Sequence, residues 1–280
     1  MSKVIKRLLT FFIGIPLVLA LVMVEYKNHL AMNAVIVLFA ILGSLEVQNM
    51  LSKQSKMFPK WLLTTFVAII PLMAYIFTLI NIDMILTIWI LIFEVIILMG
   101  IESLSQKTFE DSAKKISFAA LTLFYTGFMP TLISYITFIP TNSSYFLALF
   151  FIIVFMTDSF AWLFGVLFGK GTRGFVAASP NKSLVGFIGG VIGTLIVSVL
   201  IKMIFPQVFI GAYWKIIVIS LLTSFGAIIG DLIESVIKRS CDVKDSGTLI
   251  PGRGGVLDSI DSIIIAGPIF YLCVYYLYLA

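Results

Sequence analysis

Hydrophobic residues fill this chain in long runs, and short polar stretches separate each run from the next. A window of about 20 apolar residues is long enough to cross the hydrocarbon core of a bilayer as a helix. The pattern therefore predicts an all-α, polytopic integral membrane protein. It gives about nine transmembrane helices, at residues 8–26, 30–47, 61–80, 84–101, 116–139, 145–168, 184–206, 215–235 and 262–279.

The composition agrees with this interpretation, because 60% of the 280 residues are hydrophobic and only 12% are charged. The polar segments are too short to fold by themselves, so we predict a single membrane-embedded domain over residues 1–280. Basic residues precede the first run, as they do in a signal peptide, but no convincing small-residue cleavage site follows it. We therefore expect residues 8–26 to be a retained anchor.

The basic residues indicate how the helices are oriented. With the N-terminus in the cytosol, every lysine and arginine except Lys27, Lys202 and Lys215 falls at the cytosolic side, as the positive-inside rule requires. Topology thus explains the net charge of +5, and no nucleic-acid partner is needed. We predict a multi-pass protein of the cell (inner) membrane.

Five carboxylates fall within the predicted helices, where a charge is costly and by default functional. Each lies towards the predicted cytosolic end of its helix, which indicates a site that meets cytosolic anions and inner-leaflet headgroups. For two of them taken singly, Glu46 and Glu94, a structural hydrogen bond between helices is an equal explanation. The five are Glu46, Glu94, Asp158, Asp231 and Glu234.

Glycines spaced four residues apart predict close contacts between helices. The pattern leaves open whether these contacts form within one chain or between chains. The pairs are Gly186 with Gly190, Gly189 with Gly193, and Gly226 with Gly230.

The segment KDSGTLIPGRGGVLDSID, residues 244–261, concentrates charge and glycine in an otherwise apolar chain. On the helix before it, Asp231, Glu234 or Ser235, and Lys238 share one face. Asp258 and Asp261 also share a face if the last helix begins near them. The two helix ends would then present acidic side chains to each other across the segment.

These residue types suit phosphate chemistry. Carboxylates without histidine or cysteine favour Mg²⁺, basic side chains neutralise phosphate, and glycine exposes backbone N–H groups to an anion. The only histidine, His29, is predicted in an outer loop, which excludes a histidine-based zinc site or nucleophilic triad at the cytosolic face. The set indicates phosphoryl or nucleotidyl transfer, whereas any one residue taken singly is better explained by a basic loop with capping aspartates.

The sequence resembles the phosphatidate cytidylyltransferases, also called CDP-diacylglycerol synthases. Two motifs carry the resemblance across residues 158–261, and the nine-helix layout is similar too. The upstream motif comprises Asp158, FGK at 168–170 and SPNKSLVGFIGG at 179–190. The C-terminal signature comprises Ser235, Lys238, Arg239, Lys244, Asp245, Gly247, Pro251, Gly254, Gly255, Asp258 and Asp261.

The resemblance implies transfer of the cytidylyl group from CTP to phosphatidic acid, with Mg²⁺ as cofactor, by a homodimer whose site faces the cytosol. It implies metal ligation by Asp231, Asp258, Asp261 and Asp158. The implied catalytic set adds Lys238, Arg239, Lys244 and Asp245. Substrate binding is implied for Lys170, Lys182, Ser183, Ser235, Arg253, Gly254 and Gly255.

Three positions depart from the family's usual pattern: Val185 stands where Glu is usual, Arg253 where His is usual, and Ser259 where Arg is usual. One interpretation is that a guanidinium has moved within one phosphate pocket, from 259 to 253. The departures keep open a different acceptor, a different nucleotide, or a catalytically silent family member that binds lipid. Two alternatives rest on other features: a CTP-dependent lipid kinase would use the same metal and phosphate groups, and a transporter would account for the helix count and the carboxylates within the membrane.

Overall fold

The computed structural model describes residues 14–105, 108–250 and 252–279. Those residues form an all-α, polytopic membrane fold with eight helices long and apolar enough to cross a bilayer. Only isolated β-bridges occur among them besides the helices. In chain order the helices are α1 Tyr26–Leu51, α2 Lys60–Leu79, α3 Leu86–Ser105, α4 Ser112–Thr137, α5 Ser143–Phe168, α6 Leu184–Ile204, α7 Tyr213–Ser240 and α8 Leu257–Leu279.

These eight helices correspond to the second to ninth predicted ones. Of the first, residues 8–13 lie outside the described residues, and residues 14–22 are helical. The count of nine and the cytosolic N-terminus stay predictions. His29, predicted in a loop, has a non-helical backbone with a φ of 57° at the start of α1, and its side chain lies buried, 2.9 Å from the Ser143 hydroxyl.

The boundaries next to the 244–261 segment differ most from the prediction. Helix α7 continues to Ser240 rather than ending at 235, and α8 begins at Leu257 rather than at 262. Both extensions are polar, so a window that scores apolar residues misses them. Lys238 and Asp258 are therefore helical residues, as the shared faces predicted for them require, and this fixes the direction of their side chains.

Helices α5 and α6 pack along each other, as do α7 and α8, and α6 and α5 both contact α7. A buried aromatic and aliphatic core that includes Phe150 and Phe270 fills the space between them. The second half of α4 joins this group to α1 and α2. A π-helical segment, Leu123–Phe128, interrupts α4, and α2 packs on it at Gly127.

The predicted glycine contacts are confirmed, and they form within the chain. A Cβ on Gly186 would lie 2.7 Å from the Ala161 carbonyl oxygen, and one on Gly190 would lie 2.9 Å from that of Thr157. A Cβ on Gly226 would approach Ala266 Cα to 3.1 Å. Because these glycines are used inside one chain, the homodimer stays a prediction that they do not support.

A buried polar contact also holds α5, α6 and α7 together. The Thr157 hydroxyl lies 3.1 Å from Thr194 Oγ1 and 3.0 Å from Ser224 Oγ. Such interhelical hydrogen bonds stabilise membrane bundles because hydrocarbon offers no other partner. The contact lies one residue before Asp158 and so fixes α5 next to the acidic residues described below.

Candidate active site

The site begins where α7 and α8 approach most closely. Gly230 lies against the backbone of Asp261 and Ser262, and a Cβ at this position would collide with the Asp261 carbonyl oxygen. Glycine is therefore needed for the helices to come this near. The contact brings Asp231, the next residue on α7, beside Asp261 on α8.

Three carboxylates converge at this crossing. Asp231, Glu234 and Asp261 each offer an oxygen, and these oxygens lie within 4.8 Å of one another. Glu234 is fully buried, whereas Asp231 and Asp261 are partly exposed. Glu234 was predicted on the same face as Asp231 but without a metal role. Its position three residues after Asp231 is the signal that could have assigned it one.

Asp158 on α5 lies beside this acidic cluster, which we define as Asp231, Glu234 and Asp261. Its charge interacts with those of Asp231, Lys182 and Arg253. Asp158 itself remains exposed. The structure thus brings the two halves of the family-like sequence pattern, from α5 and from α7 with α8, to one place.

Two lysines neutralise part of the acidic charge. Lys238 forms ion pairs with Glu234, four residues earlier on α7, and with Asp258 on α8, where Nζ lies 2.6 Å from Oδ1. Lys182, just before α6, forms an ion pair with Asp231. The carboxylates still outnumber these lysines, so the described side chains leave an excess of negative charge.

Asp258 has a different environment from Asp261. Its Oδ1 accepts the bond from Lys238, and its Oδ2 accepts from the backbone N–H groups of Ser246 and Gly255, at 2.8 and 2.7 Å. Both oxygens are therefore engaged within the protein. Metal ligation by Asp258 stays a prediction. In the structure, the Asp258 carboxylate holds the segment between α7 and α8 at Ser246 and Gly255 and orients Lys238.

The segment between α7 and α8 folds into a tight turn. Ile250 and Gly254 exchange backbone hydrogen bonds of 2.8 and 3.1 Å, and Gly254 has a φ of 117° that favours glycine. A Cβ on Gly254 would also lie 2.6 Å from Asp258 Oδ2. The glycines predicted to bind phosphate thus have a folding role at these positions.

Glu46 enters the site from α1, although the sequence left its role open. Its carboxylate accepts hydrogen bonds from the N–H groups of Val256 and Leu257 and from the Ser246 hydroxyl, each at 2.8 Å. The partners lie about 200 positions further along the chain, which is why no local pattern could identify them. The signal was the presence of a carboxylate inside a predicted helix.

The remaining predicted site residues lie on α7 and on the segments before α6 and α8. Ser183 is buried and caps α6 by accepting from the Gly186 N–H at 3.1 Å, while Ser235 is buried on α7. The Arg239 side chain donates to the Val243 carbonyl oxygen at 3.2 Å. The exposed ones are Lys170, Arg239, Lys244, Asp245 and Arg253. Their roles towards substrate stay predictions.

The three departures lie at the starts of α6 and α8 and on the turn before α8. Val185 lies in the first turn of α6, and its N–H donates to Thr172 Oγ1 at 3.4 Å. Ser259 follows Asp258 on α8, and Arg253 lies exposed on the turn before it. Positions 253 and 259 therefore flank the N-terminus of the same helix.

Comparison with known proteins shows what this chain is similar to. The model of the cytidylyltransferase family matches residues 5–277. A phosphatidate cytidylyltransferase of Staphylococcus saprophyticus is 44% identical over 119 residues, which are 42% of this chain and 45% of that protein. Those of Staphylococcus haemolyticus and Staphylococcus aureus are each 36% identical over 169 residues, which are 60% of this chain and 60% of each relative.

Proposed function

The chain belongs to the cytidylyltransferase family, and from that premise we propose that it transfers the cytidylyl group of CTP to phosphatidic acid. The products are CDP-diacylglycerol, a precursor for phospholipid biosynthesis, and pyrophosphate. The matched relatives are named phosphatidate cytidylyltransferases, and the matches span 45% to 60% of their length. The substrates are therefore proposed here from the site and the family together.

The observation that carries this proposal is the convergence of the acidic cluster with lysines at one end of the helix bundle. Asp231, Glu234 and Asp261 supply hard oxygen ligands, and Lys182 and Lys238 pair with two of them. Acidic groups for a metal next to basic groups for phosphate are the equipment of nucleotidyl transfer. A transporter offers no reason for the charged, glycine-rich segment at residues 244–261.

Mg²⁺ fits the donor set. The cluster contains only carboxylate oxygens, and the carboxylates outnumber the lysines that pair with them. We propose that Asp231, Glu234 and Asp261 hold the ion, with Asp158 beside them. When bound, the ion would neutralise the phosphate oxygens of the nucleotide and help to align the reacting groups.

The protein's own side chains would bind and orient the two substrates. Lys244 and Arg253 are exposed on the glycine-rich segment, where their charges can neutralise the triphosphate. Asp158 is exposed on α5, so the acceptor headgroup can reach the acidic cluster from the bilayer. We propose that this end of the bundle faces the cytosol. CTP is a cytosolic substrate, and the positive-inside rule predicts the cytosol for the side that carries most of the lysines and arginines.

The proposed step balances as a substitution at phosphorus. An oxygen of the lipid phosphate forms a new bond to the α-phosphorus of CTP, and the bond between that phosphorus and the bridging oxygen breaks. Pyrophosphate leaves with the electron pair. Catalysis then depends on positioning and on charge stabilisation, with no covalent intermediate on the protein.

The test is incubation of the purified protein with phosphatidic acid, Mg²⁺ and CTP labelled separately at the α and γ positions. We expect the α label in the extracted lipid. The γ label in the lipid would instead identify a lipid kinase. No label in the lipid from folded protein that binds CTP would identify a silent family member, and flux across vesicles without label transfer would identify a transporter.

A further inference from the structure

Resting on the proposed function, we propose that Glu46 is a positioning residue for the active site. It holds the signature loop, defined as residues 244–250 and 252–256, against the first turn of α8. It does so from α1, in a part of the chain that carries none of the family-like motifs. The evidence is its hydrogen bonding, its enclosure and its connection to the acidic cluster.

The hydrogen bonds of Glu46 replace a missing cap. The first N–H groups of a helix have no partner within the helix, and a nearby side chain usually accepts from them. Val256, at the N-cap of α8, makes no such bond. The Glu46 carboxylate accepts from the N–H groups of Val256 and Leu257 instead, both at 2.8 Å. Its negative charge also interacts favourably with the helix dipole.

The same carboxylate connects to the acidic cluster through three further residues, Ser246, Asp258 and Lys238. The Ser246 hydroxyl lies 2.8 Å from Glu46 Oε2 and 2.9 Å from Asp258 Oδ2. Asp258 in turn accepts from Lys238, which forms an ion pair with Glu234 of the cluster. A shift of Glu46 is therefore transmitted to the side chain that neutralises Glu234.

The protein encloses the Glu46 carboxylate tightly. Only 9% of Glu46 is exposed. A Cβ on Gly247 would lie 2.6 Å from Oε1, and a Cβ on Gly255 would collide with the carboxylate and with the Ser246 hydroxyl. Two glycines of the signature loop thus leave room for this one side chain, which is the arrangement expected of a built site.

Glu94 on α3 provides a matched control. It is equally buried, at 5% exposure, and it also lies in a membrane helix. Among the described residues, neither of its carboxylate oxygens has a hydrogen-bond partner. The change Glu94→Gln therefore makes the same substitution in another membrane helix, at a carboxylate that forms none of the hydrogen bonds that hold the signature loop.

The experiment measures four variants in the labelled-CTP assay. They are Glu46→Gln, Ser246→Ala, the double variant of these two, and the control Glu94→Gln. An amide keeps the shape of the side chain but loses the charge and faces N–H groups with its own donors. We expect Glu46→Gln to lower kcat by about 10- to 100-fold, the usual cost of losing a residue that orients a site. The combined variant should lose less than the product of the two single losses, because both act through one network.

A second measurement does not depend on activity. Lys244 and Arg253 are exposed on the signature loop, so trypsin can cleave after them once the loop detaches. We expect Glu46→Gln to speed cleavage at both sites by tenfold or more, and Glu94→Gln to leave it unchanged. Thermal unfolding of each variant measures how much of the protein is folded under the assay conditions. This distinguishes release of the loop from global unfolding.

Three results would overturn the positioning role: kcat of Glu46→Gln within twofold of the wild type, unchanged cleavage, or losses that multiply in the combined variant. An inactive wild type would overturn the proposed function instead. In that case the cleavage rates still decide whether Glu46 holds the loop.

Discussion

The two ends of the helix bundle both bury lysines, but they give them different partners. At the site end, Lys238 pairs with Glu234 and Asp258. At the opposite end, Lys202 is 4% exposed and donates to the carbonyl oxygens of Phe209 and Gly211, at 2.8 and 2.6 Å. Neutral carbonyl oxygens accept the hydrogen bonds of Lys202. The two carboxylates that pair with Lys238 together carry more negative charge than this one lysine balances.

This difference separates a structural lysine from one that belongs to a site. Carbonyl groups are fixed dipoles, so the end that contains Lys202 needs no further ion. At the site end, several carboxylates remain close together, and this is stable only if a cation or protons compensate them. The comparison makes charge balance the property to test, and the variants below change it at one end at a time.

The largest effect is expected when the acidic cluster loses a charge. Asp261→Asn should lower the cytidylyl transfer rate by about 100-fold or more, because an interaction that stabilises the transferring group is lost. The rate of α-label transfer to lipid, measured over a range of Mg²⁺ concentrations, checks this. A variant with the wild-type rate and Mg²⁺ dependence would remove the cluster from the proposed site.

The next effect compares the two buried lysines directly. Lys238→Met leaves two carboxylates without their cation, so we expect a loss of about 3–5 kcal/mol in the free energy of unfolding, together with lost activity. Lys202→Met leaves only carbonyl groups unpaired and should cost about 1–3 kcal/mol.

Thermal unfolding in detergent and kcat per folded molecule distinguish the two lysine variants. The Lys202→Met protein should keep its kcat once the folded fraction is taken into account. If both variants lost activity equally per folded molecule, the two ends would not differ in the way that their partners indicate.

A smaller effect is expected from moving α7 and α8 apart. In Gly230→Ala the new Cβ would collide with the Asp261 carbonyl oxygen, so the helices must separate and the cluster must widen. We expect about a tenfold loss of kcat, since small misplacements of catalytic groups are costly.

Gly100→Ala on α3 is the control for that substitution. A Cβ there meets nothing within 4 Å in the part of the chain that the structure describes, and alanine favours a helix more than glycine does. Its activity should equal that of the wild type. A comparable loss in both variants would mean that the α7–α8 contact is not what sets the geometry of the site.

The smallest effect concerns the exposed rim. Arg253→His should lower kcat/KM for CTP by less than about tenfold, because exposed charges contribute roughly 1 kcal/mol or less. Combining it with Ser259→Arg should restore part of the loss, since both positions flank the N-terminus of α8. A double variant no better than the single one would show that the two positions do not share a guanidinium role.

The length of the apolar runs predicted most of the fold because each membrane helix satisfies its own backbone hydrogen bonds and requires only length and apolarity. It failed where helices continue as polar turns, at Lys238 on α7 and at Asp258 on α8. The spacing of Asp231, Glu234 and Lys238 on one face was predictable for the same local reason.

The sequence by itself determined the membrane class, the helix order, and the set of acidic and basic residues around positions 158–261. Only the tertiary structure decided which of them meet: Glu234 joins Asp231 and Asp261, Asp258 pairs with Lys238, and Glu46 caps α8. Periodicity is a property of neighbouring residues along one helix. Partners that lie as far apart as Glu46 and Leu257 are selected by helix packing, which depends on the whole bundle at once.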